Sequence, residues 1–242
     1  MSKRGKGPGD DGRTHGGAGY RGRSERVRTA KGRTISSTTW LARQLNDPYV
    51  AEAKRRGYRS RAAFKLIELD DRFRLLWRGA RVVDLGAAPG GWTQVAVERV
   101  GAGRVAGARV VAIDVAEMAP VPGATILRGD VLDAAQIDRL KTVLDGSADV
   151  VLSDMAPAAS GHAATDHLRI MAMAETAVAL AFDLLAAGGS FVCKVLQGGT
   201  ESVLLAALNR AFTHVRHAKP PASRPESAEL YVVARGFRGT GR

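Results

Sequence analysis

Val82-Val83-Asp84-Leu85-Gly86-Ala87-Ala88-Pro89-Gly90-Gly91-Trp92 is the stretch on which the fold turns. A short apolar run ends in an acid, and a glycine-rich loop leads into the helix-type run Gly91 to Arg99. A strand that opens through glycines into a helix suits an open α/β sheet, where ligands bind beyond the carboxyl ends of the strands. Glycine lets the backbone turn sharply and approach a ligand closely. The spacing is Gly-x-x-x-Gly-Gly, not the Gly-x-Gly-x-x-Gly of dinucleotide loops, and no Lys-Ser/Thr follows as in a P-loop. Gly101-Ala102-Gly103 precedes a strand instead of following one and reads as a turn.

Outward from this loop, apolar runs alternate with helix-type runs. Strands are expected at Arg81 to Leu85, Arg109 to Ile113, Ala124 to Leu127, Asp149 to Ser153 and Ser190 to Val195. Helices are expected around 134–144, over 166–186 with a stop at Gly188-Gly189, and near 200–212. Two further strands, near 213–218 and 229–234, suit an antiparallel ending. Upstream, residues 47–75 read as helical, with Ser60 as an N-cap before the apolar-periodic run from Ala62. The pattern predicts an α/β, Rossmann-like architecture: a seven-stranded, mostly parallel sheet with helices on both faces.

The chain has 242 residues and 45% hydrophobic content, enough for a real core. Its 36 Lys+Arg against 24 Asp+Glu leave a formal charge of +12, which points to a polyanionic partner. Residues 1–34 hold ten Lys/Arg against three acids among nine glycines, so a disordered basic tail is expected, with the folded domain over 35–242 and its sheet over 80–236. The tail suits either RNA contact or solubility. One cysteine, Cys193, excludes a disulfide framework and a Cys-cluster zinc site and fits a reducing compartment. The five histidines show no metal-ligand spacing; His162 and His167 read as part of a loop after Asp154. Met1 to Arg33 carry no apolar core of a secretory leader, and no run of 18 apolar residues suggests a membrane span. A cytoplasmic monomer is the expectation. Trp40 and Trp77 read as packing residues.

Three acids sit at strand ends: Asp84, Asp114 and Asp130. Asp114, 23 positions after Gly91, suits ribose hydroxyls, and Asp130 could accept from an adenine amino group. Each alone could equally be a helix cap. Together with the missing pyrophosphate fingerprint, they favour S-adenosylmethionine, whose ammonium and sulfonium suit nearby carboxylates, over a nicotinamide dinucleotide. The fourth strand ends in Ser153-Asp154-Met155-Ala156-Pro157, and the fifth carries Lys194 among apolar neighbours. A lysine there is costly unless paired or at the strand's end. Asp154 and Lys194 end neighbouring strands and can meet over the cofactor; Lys65 and Glu229 could complete a charged cluster. The bland alternatives are an edge lysine reaching water and an exposed helix lysine. Lys54, Arg55, Arg56, Arg59 and Arg61 form a basic cluster suited to phosphate contact, or a solvated helix face.

These blocks carry a resemblance. Asp47-Pro48-Tyr49-Val50, Gly57 to Leu66, Val82 to Trp92, Ser153 to Pro157, Lys194-Val195-Leu196-Gln197-Gly198, Lys219-Pro220, Ser223-Arg224 and Glu229-Leu230-Tyr231 resemble the FtsJ/RrmJ family of ribosomal RNA 2′-O-methyltransferases. The resemblance implies the class I S-adenosylmethionine-dependent methyltransferase fold and 2′-O-methylation of a uridine in 23S rRNA of the large ribosomal subunit. It implies a catalytic tetrad at Lys65, Asp154, Lys194 and Glu229, with Lys194 as proton acceptor. It implies cofactor contacts at Gly90, Trp92, Asp114, Asp130 and Asp154; no metal is expected. Two departures fall on substrate loops: Ala158, where the family commonly has Asn, and Gly199-Thr200-Glu201-Ser202, where it has an acidic, aromatic stretch. A non-catalytic RNA-binding factor and a nicotinamide oxidoreductase stand as the competing classes.

Overall fold

The computed structural model describes residues 35–157, 160–197 and 201–239. The basic tail, Ala158, Gly198, and Gly199 and Thr200 of the second departure lie outside the described residues. The chain divides into two units, Met1–Asn46 and Asp47–Arg242. In the first, the described element is helix α1, Ile35–Leu45.

The second unit opens with two helices where one helical element over 47–75 is expected. Helix α2 spans Pro48–Arg56, and helix α3 spans Ala62–Phe73. Asp47 caps α2 by accepting from the Tyr49 N–H at 3.0 Å, and Pro48 sits at the first turn, where its missing N–H costs nothing. Gly57, at φ +75°, ends α2 in the left-handed region and breaks the run. Ser60 does not cap α3: Arg61 holds the cap position without a side-chain bond, and the Ser60 hydroxyl is buried without a hydrogen-bond partner.

The sheet follows the expected sequence of elements. Strands β1 (Arg81–Leu85), β2 (Arg109–Asp114), β3 (Thr125–Arg128), β4 (Ala148–Ser153), β5 (Leu185–Leu196), β6 (Phe212–Ala218) and β7 (Glu229–Phe237) are ordered β3-β2-β1-β4-β5-β7-β6. The first five pair in parallel, and β7 enters antiparallel between β5 and β6. Helices α4 (Gly91–Val100), α5 (Ala134–Leu144), α6 (Ala163–Leu184) and α7 (Glu201–Ala211) make the connections. One core cluster joins Ile113, Leu140, Val151, Phe191 and Phe212; another joins Leu66, Val82, Trp92, Val192 and Tyr231. Buried strands read as continuous apolar runs because helices cover both faces.

Two boundaries differ from expectation. Helix α6 ends at Leu184, and Gly188-Gly189 lie within β5, whose register against β4 shifts between Ala148 and Val150. The glycines thus serve an irregular strand instead of a helix stop. His167 lies on α6 and not in the loop after Asp154, whereas His162, the N-cap residue of α6, ends that loop. Trp77 is 47% exposed and is not a packing residue. No described helix is long and apolar enough to cross a membrane.

Candidate active site

Strand register assembles the charged cluster. Ser153 of β4 pairs with Cys193 of β5, so Asp154, just past the end of β4, and Lys194, within β5, lie side by side. Across the antiparallel partner, Lys194 faces Tyr231 and Leu196 faces Glu229. Cross-strand partners share a face, as do residues two apart, so Lys194, Glu229 and Tyr231 point the same way. Helix α3 supplies Lys65 from a turn that also buries Phe64 and Leu66.

The four expected side chains meet. Lys194 Nζ lies 2.8 Å from Asp154 Oδ1 and donates to the Asp154 carbonyl at 2.8 Å. It stands 3.9 Å from Glu229 Oε2. Lys65 Nζ lies 2.6 Å from Glu229 Oε1. Both lysines are only 7% exposed, which removes the edge-lysine and exposed-helix alternatives. Burying a charge is costly unless it is paired, and each amine here has its carboxylate.

Tyr231 is the residue the sequence reading missed. Its hydroxyl donates to Asp154 Oδ1 at 2.7 Å, lies 3.2 Å from Glu229 Oε1, and accepts from Lys65 Nζ at 3.1 Å. It therefore ties the two ion pairs together. Its place two residues after Glu229, hence on the same strand face, is the signal that strand alternation offered. Ser223 was missed as well; its hydroxyl donates to Glu229 Oε1 at 3.1 Å.

Burial alone would raise the Asp154 carboxyl, but the ammoniums of Lys194 and Lys65 and the hydrogen bonds from Lys194 and Tyr231 outweigh it, holding Asp154 below the usual carboxylate range. Burial and the facing carboxylates of Asp154 and Glu229 push the Tyr231 hydroxyl well above its usual value, so it stays a neutral donor. Burial likewise pushes the Cys193 thiol up to about 12, against the pull of Ser153 and Lys194, which leaves it unreactive.

Beside this cluster a cleft of about 300 Å³ opens beyond the ends of β1, β2 and β4, within the size range of small-molecule sites. Asp114, Asp130 and Asp154 line it, with Gly86, Met155 and Met173 among its walls. Asp114 accepts from the Ala88 N–H at 2.8 Å and the Ala116 N–H at 2.7 Å, so it braces the glycine loop as well as facing the cleft. Asp130 accepts from the Leu132 N–H at 2.9 Å, while α5 is capped by Asp133. Gly86, at φ +71°, has no room for a side chain because a Cβ would strike Met155. Three carboxylates line the cleft and no lysine or arginine does among the described residues. That wall suits a cationic ligand and would repel a pyrophosphate, so the donor set fits S-adenosylmethionine.

Three expected positions depart from the cleft. Asp84 is fully buried, accepts from the Thr93 hydroxyl at 2.7 Å, and does not line it. Trp92 packs its ring against Tyr231, centroids 5.6 Å apart, and donates Nε1–H to the Ala62 carbonyl at 2.8 Å. It faces the charged cluster. Gly90 is the N-cap of α4 at φ +107°, where a Cβ would lie 2.9 Å from Arg59 Nη1 and 3.0 Å from Met118 Sδ.

Two arginines of the expected basic cluster are committed internally. Arg59 donates to the carbonyls of Pro89, Ala119 and Pro120 at 3.2, 2.6 and 2.6 Å. Arg61 pairs with Asp47 at 2.8 Å and donates to the Ala222 carbonyl at 2.6 Å. Arg55 and Arg56 pair with Glu52 on the exposed side of α2, beside the exposed Lys54.

The FtsJ-like methyltransferase family model matches residues 58–237, which holds all four residues of the charged cluster and the whole cleft. The chain belongs to the FtsJ-like methyltransferase family. It is an enzyme that uses S-adenosylmethionine. Among its relatives, the ribosomal RNA large subunit methyltransferase E of Paramagnetospirillum magneticum is 62% identical over 92% of this chain and 91% of that one. The protein of the same name from Gluconobacter oxydans is 59% identical over 90% of this chain and 79% of that one. A crystal structure of a Plasmodium falciparum protein described as a ribosomal RNA methyltransferase superimposes with a TM-score of 0.67 at 29% identity, covering 75% of this methyltransferase and all of that chain.

Proposed function

We propose that this methyltransferase moves a methyl group from S-adenosylmethionine to the ribose 2′-hydroxyl of a uridine in 23S rRNA, acting on the large ribosomal subunit in the cytoplasm as a monomer. The observation that carries the reading is the buried Lys194 amine, held 2.8 Å from a carboxylate that also lines the cofactor cleft. The relatives' name, ribosomal RNA large subunit methyltransferase E, supports the substrate.

Asp114 and Asp130 hold the cofactor, with Gly90 shaping the loop behind them and Trp92 backing the cluster. Bound there, the cofactor supplies an activated methyl group on a sulfonium, whose positive charge disfavours an ammonium beside it. A ribose hydroxyl is a poor nucleophile and needs help losing its proton. Lys194 first gives the proton of its ammonium to solvent; the neutral amine then accepts the hydroxyl proton, and Asp154 fixes the amine's direction and balances the positive charge that forms. Lys65 and Glu229 make a second ion pair that fixes the other wall. Much of the acceleration comes from alignment of two reactants held by rigid elements. The basic N-terminal tail and the exposed Lys54, Arg55 and Arg56 meet the RNA backbone; Arg59 and Arg61 do not.

Lys194→Arg keeps a positive charge but cannot accept a proton, and Lys194→Ala keeps neither. Both should lose about 10²–10⁴ in methyl transfer, the usual worth of a general base, while cofactor affinity by calorimetry stays within a few-fold. Near-normal turnover in the arginine variant would sink the proton-acceptor role. Near-normal turnover in the alanine variant would sink the site.

A further inference from the structure

We propose that a second cleft, on the outer face of α4, is a docking groove for single-stranded RNA. The class of occupant rests on the RNA reading above; the place and the chemistry are those of the groove itself. It encloses about 560 Å³ and shares no lining residue with the cofactor cleft. Arg56 and Tyr58 border it on one side, Gln94 and Glu98 form its α4 wall, and Arg78 and Arg104 close it where the chain enters β1 and leaves α4. Of α4 it takes Gln94, Val97 and Glu98, about one helical turn.

Its charge is the first argument. Three guanidiniums face one carboxylate, and Glu98 already accepts from the Tyr58 hydroxyl at 2.9 Å. Arg56 is paired with Glu52. Arg78 and Arg104 are exposed, and their side chains form no ion pair or hydrogen bond among the described residues. A concave surface that leaves two such groups unneutralised attracts an anion, and focuses it better than a flat patch would.

The second argument is Trp77. It precedes Arg78 and is 47% exposed, although the core next to it buries Leu75 completely. Unpaired cations, and an open indole one residue along the chain from Arg78, are the two parts of a single-strand site: the cations take phosphates, and the ring stacks on a base of any identity. The groove also has a reason to serve this substrate. The Tyr58 ring packs edge-on against Phe64, 5.8 Å between centroids, and Phe64 immediately precedes Lys65. The groove's Tyr58 thus abuts the helix that carries Lys65, and RNA held there adds affinity at nucleotides remote from the methylated one.

The test uses the full-length enzyme with large ribosomal subunits as substrate and methyl incorporation as readout. Arg78→Glu with Arg104→Glu should raise KM for the subunit about tenfold or more at near-physiological salt. It should also flatten the slope of log KM against log salt by about 1.4, the effect of two lost single-strand phosphate contacts. Trp77→Ala should raise KM several-fold and leave the slope alone. kcat and cofactor affinity should stay at wild-type values in all three, and the glutamine pair Arg78→Gln with Arg104→Gln should fall between. An unchanged KM and salt slope in the charge-reversed enzyme overturns the groove and leaves the methyltransferase reading intact. A wild-type enzyme that methylates no ribosomal RNA overturns both.

Discussion

The charged cluster and the cofactor cleft share Asp154, yet they are built in opposite ways. In the cluster, two buried amines and a buried phenol are bonded to two half-buried carboxylates, from Lys194–Asp154 at 2.8 Å to Lys65–Glu229 at 2.6 Å. In the cleft, Asp114 is half-buried, Asp130 is exposed, and each leans on backbone N–H groups. The cluster is thus satisfied without a ligand and positions protons. The cleft keeps an uncompensated negative wall and awaits a cation. A buried network holds geometry because moving any member strands another, whereas half-open acids bind and release.

Asp154→Asn breaks the comparison most severely, because Asp154 belongs to both regions. The carboxamide leaves two lysines facing one remaining carboxylate, and breaking a buried pair costs about 3–5 kcal/mol. Methyl transfer should fall by about 10³, in the range of a lost buried ion partner, and cofactor affinity should fall with it. Turnover and affinity would be measured on the same preparation. A variant that lost turnover alone would show that the cleft does not use this carboxylate.

Asp84 sharpens the contrast from beneath, since it is fully buried with no basic side chain bonded to it among the described residues. Burial lifts its carboxyl from the ordinary 3.8 to about 7, partly opposed by the Thr93 hydrogen bond, with Asp154 and Asp114 adding to the rise. The folded state thus favours the neutral acid. Its advantage is complete below the ordinary value and is lost as pH rises toward 7. Over that window the loss is up to roughly 4 kcal/mol, at 1.36 kcal/mol per unit. Asp84→Asn should flatten this part of the stability–pH curve, as read by denaturant unfolding between pH 4 and 7. Parallel curves for wild type and variant would show that another group carries the dependence.

The parallel sheet was legible because its strands are continuous apolar runs, and the cluster was legible in outline because Asp154 and Lys194 fall near the ends of neighbouring strands. What stayed hidden depends on register. Nothing in Glu229-Leu230-Tyr231 states that Tyr231 lies opposite Lys194 until the pairing of β5 and β7 is known. Asp84 and Trp92 sit in the right motif, yet turn into the core and toward the cluster, because which way a side chain points at a strand end is a matter of packing. Gly188-Gly189 mislead for the same reason: glycine ends helices, and it also lets a strand shift register. Arg59 is the clearest case. Its neighbours make it look like part of a phosphate-binding surface, while its carbonyl partners lie 30 and about 60 residues away.

Those partners give the mildest test. Arg59 reaches from the turn between α2 and α3 to Pro89 in the glycine loop and to Ala119 and Pro120 on the segment after β2. It thus pins both walls that frame Asp114 to the element that carries Lys65. Each bond is solvent-accessible, so together they should contribute about 1–2 kcal/mol, at the low end for bonds to a charged donor. Arg59→Ala should therefore weaken cofactor affinity by about tenfold. kcat at saturating cofactor should barely change, and the salt dependence of KM for RNA should match wild type, because no phosphate contact is removed. Calorimetry and the salt series separate the outcomes. A flattened salt slope with unchanged cofactor affinity would return Arg59 to the RNA surface and leave the cleft's walls held by their own loops.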